Sequence, residues 1–204
     1  MGLGLELDHI AVAAETLEEG VAWVEERLGV QMLPGGQHPL MGTHNRLLGL
    51  ADGLYFEVIA VDPAAPKPPH ARWFDLDRFS GPPRIANWIL RTPDLAAAFA
   101  AFGPAAGTPV ALARGDLRWQ MAVPETGILP LDGIFPALIE WESAAHPAQR
   151  LAPSGLRLSR LDVRHPEIDT LYLPGFSDPR VAFLSGPAGF SARFEGPDGE
   201  RTLT

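Results

Sequence analysis

The sequence predicts an α+β fold of two βαβββ modules followed by a truncated third. Two observations carry this. Segments LELDHIAVAAETLEE (residues 5–19), PRIANWILRTPDLAA (83–97) and LRLSRLDVRHPEIDT (156–170) share one pattern: an apolar-rich stretch, a turn, and the opening of a helix. The 21 glycines and 21 prolines among 204 residues suit many turns and short strands, not a helical bundle. The expected division is a first module over 1–62, a linker over 63–84, a second module over 85–143 and the truncated module over 144–204.

In the first module, residues 5–13 alternate as a strand. Glu15 or Thr16 then opens a helix whose apolar positions Leu17, Val21, Val24 and Leu28 recur at helical spacing, with Gly29 ending it. A strand is expected over 30–33, closed by the turn-rich PGGQHP, and another over 45–50. After the hairpin signal Ala51-Asp52-Gly53 a fourth runs over 54–61. The Pro-rich DPAAPKPPH (62–70) begins the connector. The second module repeats the order, with a strand over 85–91, a helix over 94–102, and strands over 110–113, 117–123 and 135–142. The third has strands over 156–164, 181–184, 190–194 and 201–203, with too little chain for a full helix between the first two.

Composition narrows the function. A formal charge of −9 argues against nucleic acid, whose phosphates need a basic surface. With no cysteine there is no disulfide scaffold, thiol catalysis or thiolate-held metal. The N-terminal residues show no secretion signal and no apolar run is long enough to span a bilayer. A cytoplasmic protein with a small-molecule ligand is expected. The C-terminal fragment is a candidate for homodimer formation.

The positions able to carry chemistry fall at matched places. His9 lies in the first strand of module one and Asn87 at the corresponding place in module two. Glu57 sits in the closing strand LYFEVIA and Glu140 in the closing strand PALIEWE. A carboxylate in an apolar strand is costly against a dry core, and easier to place facing a wet cavity or a cation. Alternation puts Phe56 and Val58 on one face of their strand and Tyr55, Glu57 and Ile59 on the other. The same reasoning assigns Ile139 and Trp141 to a helix-packing face and Glu140 and Glu142 to the opposite one. A cavity between curved sheets would then gather His9, Glu57, Asn87 and Glu140.

The opening LDHIAVAAETLEEGVAWVEERLG, the later GTHNRLLGLADGLYFEVIA and the repeated module order resemble the vicinal oxygen chelate superfamily (the glyoxalase/bleomycin-resistance/dioxygenase fold) over residues 5–142. Within it, GGQHPLMGTHN (35–45) and WFDLDRFSGPPR (73–84) are similar to glyoxalase-like domain proteins rather than to lactoylglutathione lyase. The resemblance implies a cup-shaped mixed sheet and a divalent metal, Mn, Mg, Fe or Zn, held by His9, Glu57, Asn87 and Glu140. Asn87 departs from the His or Gln usual there. The implied activity is an isomerase, lyase or ring-opening reaction on a small oxygen-rich molecule, with a displaced Glu57 or Glu140 as general base. The alternative is a metal-free binding protein of the same fold.

Plainer readings stand beside these. His44, Asn45, Trp119 and Gln120 are candidates for lining a substrate cavity, and Thr-His-Asn is also ordinary turn chemistry. His38 reads as a mobile surface residue and His165 as solvated. Trp88 and Trp141 read as core. Arg160 stands where a ligand stands in the other modules and cannot bind a metal. Glu142 reads as an exposed charge at a strand edge. No nucleophile elbow, P-loop or dinucleotide fingerprint is present.

Overall fold

The computed structural model describes residues 2–204. The first module runs β1 (Glu6–Ala13), α1 (Leu17–Leu28), β2 (Leu33–His38), β3 (Thr43–Gly49) and β4 (Tyr55–Val61). The second runs β5 (Arg84–Arg91), α2 (Leu95–Phe102), β6 (Thr108–Arg114), β7 (Leu117–Val123) and β8 (Ala137–Trp141). Both form one mixed sheet in the order β2-β3-β4-β1-β5-β8-β7-β6. Its outer strands β2 and β6 approach each other, so the sheet curls into a cup. After a short helix α3 (Pro147–Arg150), β9 (Arg157–Arg164), β10 (Val181–Leu184), β11 (Gly189–Gly196) and β12 (Gly199–Leu203) make a second sheet in the order β10-β9-β11-β12. That sheet packs β12 on α1 and β11 on β5. Among the described residues no helix is long and apolar enough to cross a membrane.

Local chemistry explains the helix ends. Thr16 caps α1 by accepting the Glu19 N–H, and Gly29 ends it in the left-handed conformation (φ 69°). Asp94 caps α2 through the Ala97 N–H at 2.8 Å. Helices α1 and α2 cover the outside of the cup, on Phe56, Val58, Leu90 and Leu138, all buried.

Strand β2 begins later than expected and runs through Pro-Gly-Gly, paired with β3 across a register shift. Those glycines are where side chains of other strands approach the backbone. A Cβ on Gly35 would collide with the Asn45 side chain, and one on Gly36 would lie 2.5 Å from Arg114 Cδ. The turn instead occupies residues 39–42.

Strands β1 and β5 pair antiparallel at the centre, with His9 opposite Ile89 and Ala11 opposite Asn87. These pairs exchange under a shift of 78 residues, so the modules meet about a pseudo-two-fold axis. The same relation corrects one sequence expectation. Glu57 pairs with Ala11, and Ile89, the counterpart of Ala11, pairs with Ala137. The second-module equivalent of Glu57 is therefore Ala137. Glu140 lies three residues further on, an odd step, and points to the opposite face. Ile139 and Trp141 face the cup, while Leu138 and Glu140 face α2.

Candidate functional site

The cup floor is built on β1, β3 and β4 of the first module. His9 is buried and stacks on Tyr55 (ring centroids 4.2 Å apart, 17° between planes). Its Nε2 lies 3.4 Å from Glu57 Oε2, and its Nδ1 donates to Asp8 Oδ1 at 2.6 Å. Asp8 and His9 are neighbours on a strand and would ordinarily face opposite ways. A register shift between Leu7 and His9 makes Asp8 the extra residue of a bulge, which re-aims its carboxylate. Asp8 Oδ2 also accepts from Trp141 Nε1 (3.1 Å) and His146 Nε2 (2.9 Å). His146 Nδ1 accepts the Ala148 N–H, so its Nε2 carries the proton given to Asp8.

Burial alone would raise the Asp8 carboxyl, but the hydrogen bonds from His146 and His9 outweigh it and hold it well below the usual carboxylate range. Burial would likewise lower His9; the hydrogen bonds to Asp8 and Glu57 reverse this and raise it. Glu57 is raised by burial and lowered more by His9, ending at about 2. The arrangement is an imidazole ring between two carboxylates, both of which favour its protonated form.

Asn45 completes the first-module side. Its Nδ2 donates to Glu57 Oε1 at 2.6 Å, while its Oδ1 accepts from Gly36 N (2.7 Å) and Arg114 Nη1 (3.2 Å). Arg114 comes from β6, across the mouth of the cup. It has no carboxylate within ion-pair distance among the described residues. Its other contact is His38 Nε2 at 3.4 Å. His38 is buried and donates Nδ1–H to Thr43 Oγ1; burial pushes it down to about 4, with Arg114 also lowering it, so it is neutral. Trp73, Phe74, Trp119, Met121, Ile139 and Trp141 wall a chamber of about 30 Å³. The Trp73 indole Nε1–H is buried without a hydrogen-bond partner among the described residues.

The remaining sequence candidates lie elsewhere. Glu140 Oε2 accepts the Leu95 N–H at 2.7 Å, at the start of α2. Asn87 spends its amide on backbone, accepting from Ala137 N (3.3 Å) and donating to Gly133 O (3.5 Å), and lines a different cavity. His44 and Gln120 alternate with the cup-facing Asn45 and Trp119 and take the opposite faces; Gln120 donates to Glu142. His38 and His165, expected at the surface, are buried, His165 with its Nδ1 accepting the Glu167 N–H. Trp141, expected under a helix, faces the cup, whereas Trp88 is core and donates to Ile134 O. Arg160 pairs with Asp162. Arg114, Asp8, His146 and Trp73 were not singled out from the sequence. An isolated Arg in ALARGDLRW carries no pattern, and a bulge has no sequence signature.

The sequence pattern of the glyoxalase-like domain matches residues 7–172. The chain belongs to this family. No curated protein matches it. Among solved structures, a hypothetical protein from Staphylococcus aureus is similar in fold, with TM-score 0.62 and 15% identity over 91% of this chain and 88% of that one. Methylmalonyl-CoA epimerase from Mycobacterium tuberculosis aligns over 71% of this chain and 92% of its own, with TM-score 0.46 and 20% identity. A variant of the Streptomyces coelicolor methylmalonyl-CoA epimerase in complex with 2-nitronate-propionyl-CoA aligns with TM-score 0.45 and 15% identity, over 71% of this chain and all (100%) of that one.

The superfamily resemblance implies a divalent metal, and the donors can be tested against that. Among the described residues no group of three or more His, Asp or Glu side chains is placed to hold a metal ion. His9 and Glu57 are adjacent, but Glu140 is on the far face and Asn87 is bonded to backbone. Arg114 sets a fixed positive charge beside the pair, which disfavours a second cation. The residues as placed set an imidazole and a carboxylate beside a half-buried arginine and do not make a metal centre.

Proposed function

We propose that this glyoxalase-like domain protein is an enzyme that moves a proton at carbon next to a carbonyl in a small oxygen-rich anion, an isomerase or lyase reaction. The observation that carries the reading is a buried donor without an acceptor, Trp73, and a cation without a carboxylate, Arg114, in the wall of the chamber that holds Glu57. Among the described residues Arg114 is hydrogen-bonded to Asn45 and His38 but has no acidic partner, and the Trp73 indole N–H has no acceptor. Leaving a buried N–H unpaired costs about 1–3 kcal/mol, which a ligand oxygen would recover. An anionic substrate anchored on Arg114 would meet Glu57 as general base. Asn45 orients Glu57 by its hydrogen bond. His9, set between Asp8 and Glu57, both of which favour its protonated form, would return the proton or support the developing enolate charge. No step here runs through a metal.

The test is deuterium wash-in at carbon, followed by proton NMR, across a panel of small 2-oxo and 2-hydroxy carboxylates. Glu57→Gln should lower exchange by about 100-fold or more, and Trp73→Phe should raise KM more than it lowers kcat. Chelator should leave the rate unchanged. Exchange abolished by chelator, or retained by Glu57→Gln, overturns the reading. Saturable binding without exchange would instead support the alternative, a metal-free binding protein.

A further inference from the structure

The chamber at His9 and Glu57 has room for about one functional group and cannot hold an organic substrate. A second cavity of about 400 Å³ opens beside it, at the low end of the sizes that enclose small ligands. It lies between the linker after the first module, the loop at 128–134 and the β10–β11 connection of the third module. Its floor holds Asn87, which pairs with Ala11, one same-face step along β1 from His9. Two residues of strand are about 7 Å, so the two cavities are near neighbours in the cup.

Among the described residues, Phe74 alone lines both. Its backbone is left-handed (φ 57°, ψ 25°), and the following Asp75 is too (φ 55°). Two successive left-handed residues other than glycine persist only where their surroundings hold them, and such places recur at clamps and switches. Phe74, Phe79, Ile134 and Phe190 form the apolar part of the larger cavity's wall; its polar side chains are engaged elsewhere, Asn87 with backbone and Asp132 beside His165. Two arginines at its rim are already satisfied. Arg78 forms a fork with Asp75 (2.8 and 2.7 Å), and Arg84 lies over Phe79 (4.0 Å) with its Nη1 on the Ser80 and Pro82 carbonyls. Arg78 is paired with a carboxylate; Arg84, like Arg114, has none within ion-pair distance among the described residues, but Arg84 is exposed to solvent whereas Arg114 beyond Phe74 is half-buried.

We propose that the larger cavity holds the uncharged apolar body of the substrate, a ring or branched chain, and that Phe74 gates the passage of its carboxylate end to Arg114. The proposal deepens the proton-transfer reading and rests on it for the carboxylate end. It also gives the third module a task, because Ala188, Gly189 and Phe190 close the cavity from that side.

Two probes test it, 2-naphthoate and its neutral analogue 2-naphthylmethanol, titrated into the full chain and followed by amide proton–nitrogen correlation spectra. Both should saturate, with shifts at Phe74, Ile134 and Phe190, and the acid should bind about tenfold tighter. Ala188→Trp, at an exposed position on the cavity lip, should weaken both probes about tenfold without loss of fold by circular dichroism. Phe74→Gly should speed association of the acid. Arg114→Met should remove the preference for the acid and leave the alcohol unchanged. Absence of binding, shifts elsewhere, or affinities indifferent to Ala188→Trp overturns the cavity assignment. A preference for the acid that survives Arg114→Met overturns the route past Phe74 and the anion role of Arg114. The cavity, read by the neutral probe, is then judged separately.

Discussion

Replacing Asp8 by Asn tests the electrostatic frame of the site most directly. Asp8 is fully buried (0% exposed) and accepts three hydrogen bonds, from His9, Trp141 and His146. Asparagine offers one oxygen and one NH₂, so in either orientation an NH₂ faces an N–H donor. Breaking a buried charged pair by removing one member costs about 3–5 kcal/mol. For a chain of this size that lowers Tm by about 10 °C at neutral pH. The His9 pKa should fall as well, because the hydrogen bond it donates to Asp8 is the strongest influence raising it. Thermal unfolding by circular dichroism reads the first effect and ring proton–nitrogen spectra the second. Since the Asp8 carboxyl is held below its ordinary 3.8, its contribution is present above that pH and fades as the solution is acidified. The gap between wild type and variant should therefore narrow below about pH 4. A variant within about 1 kcal/mol of wild type, with His9 titrating unchanged, would refute the argument.

Glu57 drops from its ordinary 4.5 to about 2 on folding, so it contributes stability above pH 4.5 that is lost as pH falls toward 2. Glu57→Gln should flatten that part of the pH–stability curve, measured by urea unfolding at stepped pH. Glu140→Ala should cost about 1 kcal/mol through loss of its bond to the start of α2 and leave metal content and deuterium exchange unaltered. Gly36→Ala should displace Arg114, whose Cδ occupies the space of the new methyl, and weaken 2-naphthoate about tenfold while sparing the neutral analogue.

Much of the architecture was legible because it rests on local patterning. The caps at Thr16 and Asp94, the Gly29 stop and the period-two runs of β1 and β4 mark their elements from within a few residues. The placement of His9 and Glu57 was legible for a related reason: each interrupts an apolar face that alternation had already oriented, whereas Asn45 reads only, together with His44, as a lining candidate. The same logic misplaced Glu140, because alternation sorts a strand into two faces without saying which is inside. That choice came from the register of β8 on β5.

What the amino-acid order determined by itself was a repeated βαβββ unit, with an imidazole in the first strand and a carboxylate in the last strand of the first module. The assembled chain decided the rest. Only pairing across β1 and β5 creates the bulge that turns Asp8 under His9, and only the curl of the sheet carries Arg114 to Asn45. His146 reaches Asp8 from 138 residues away. Such contacts depend on strand register and closure, which are set by the packing of the whole sheet rather than by any segment within it.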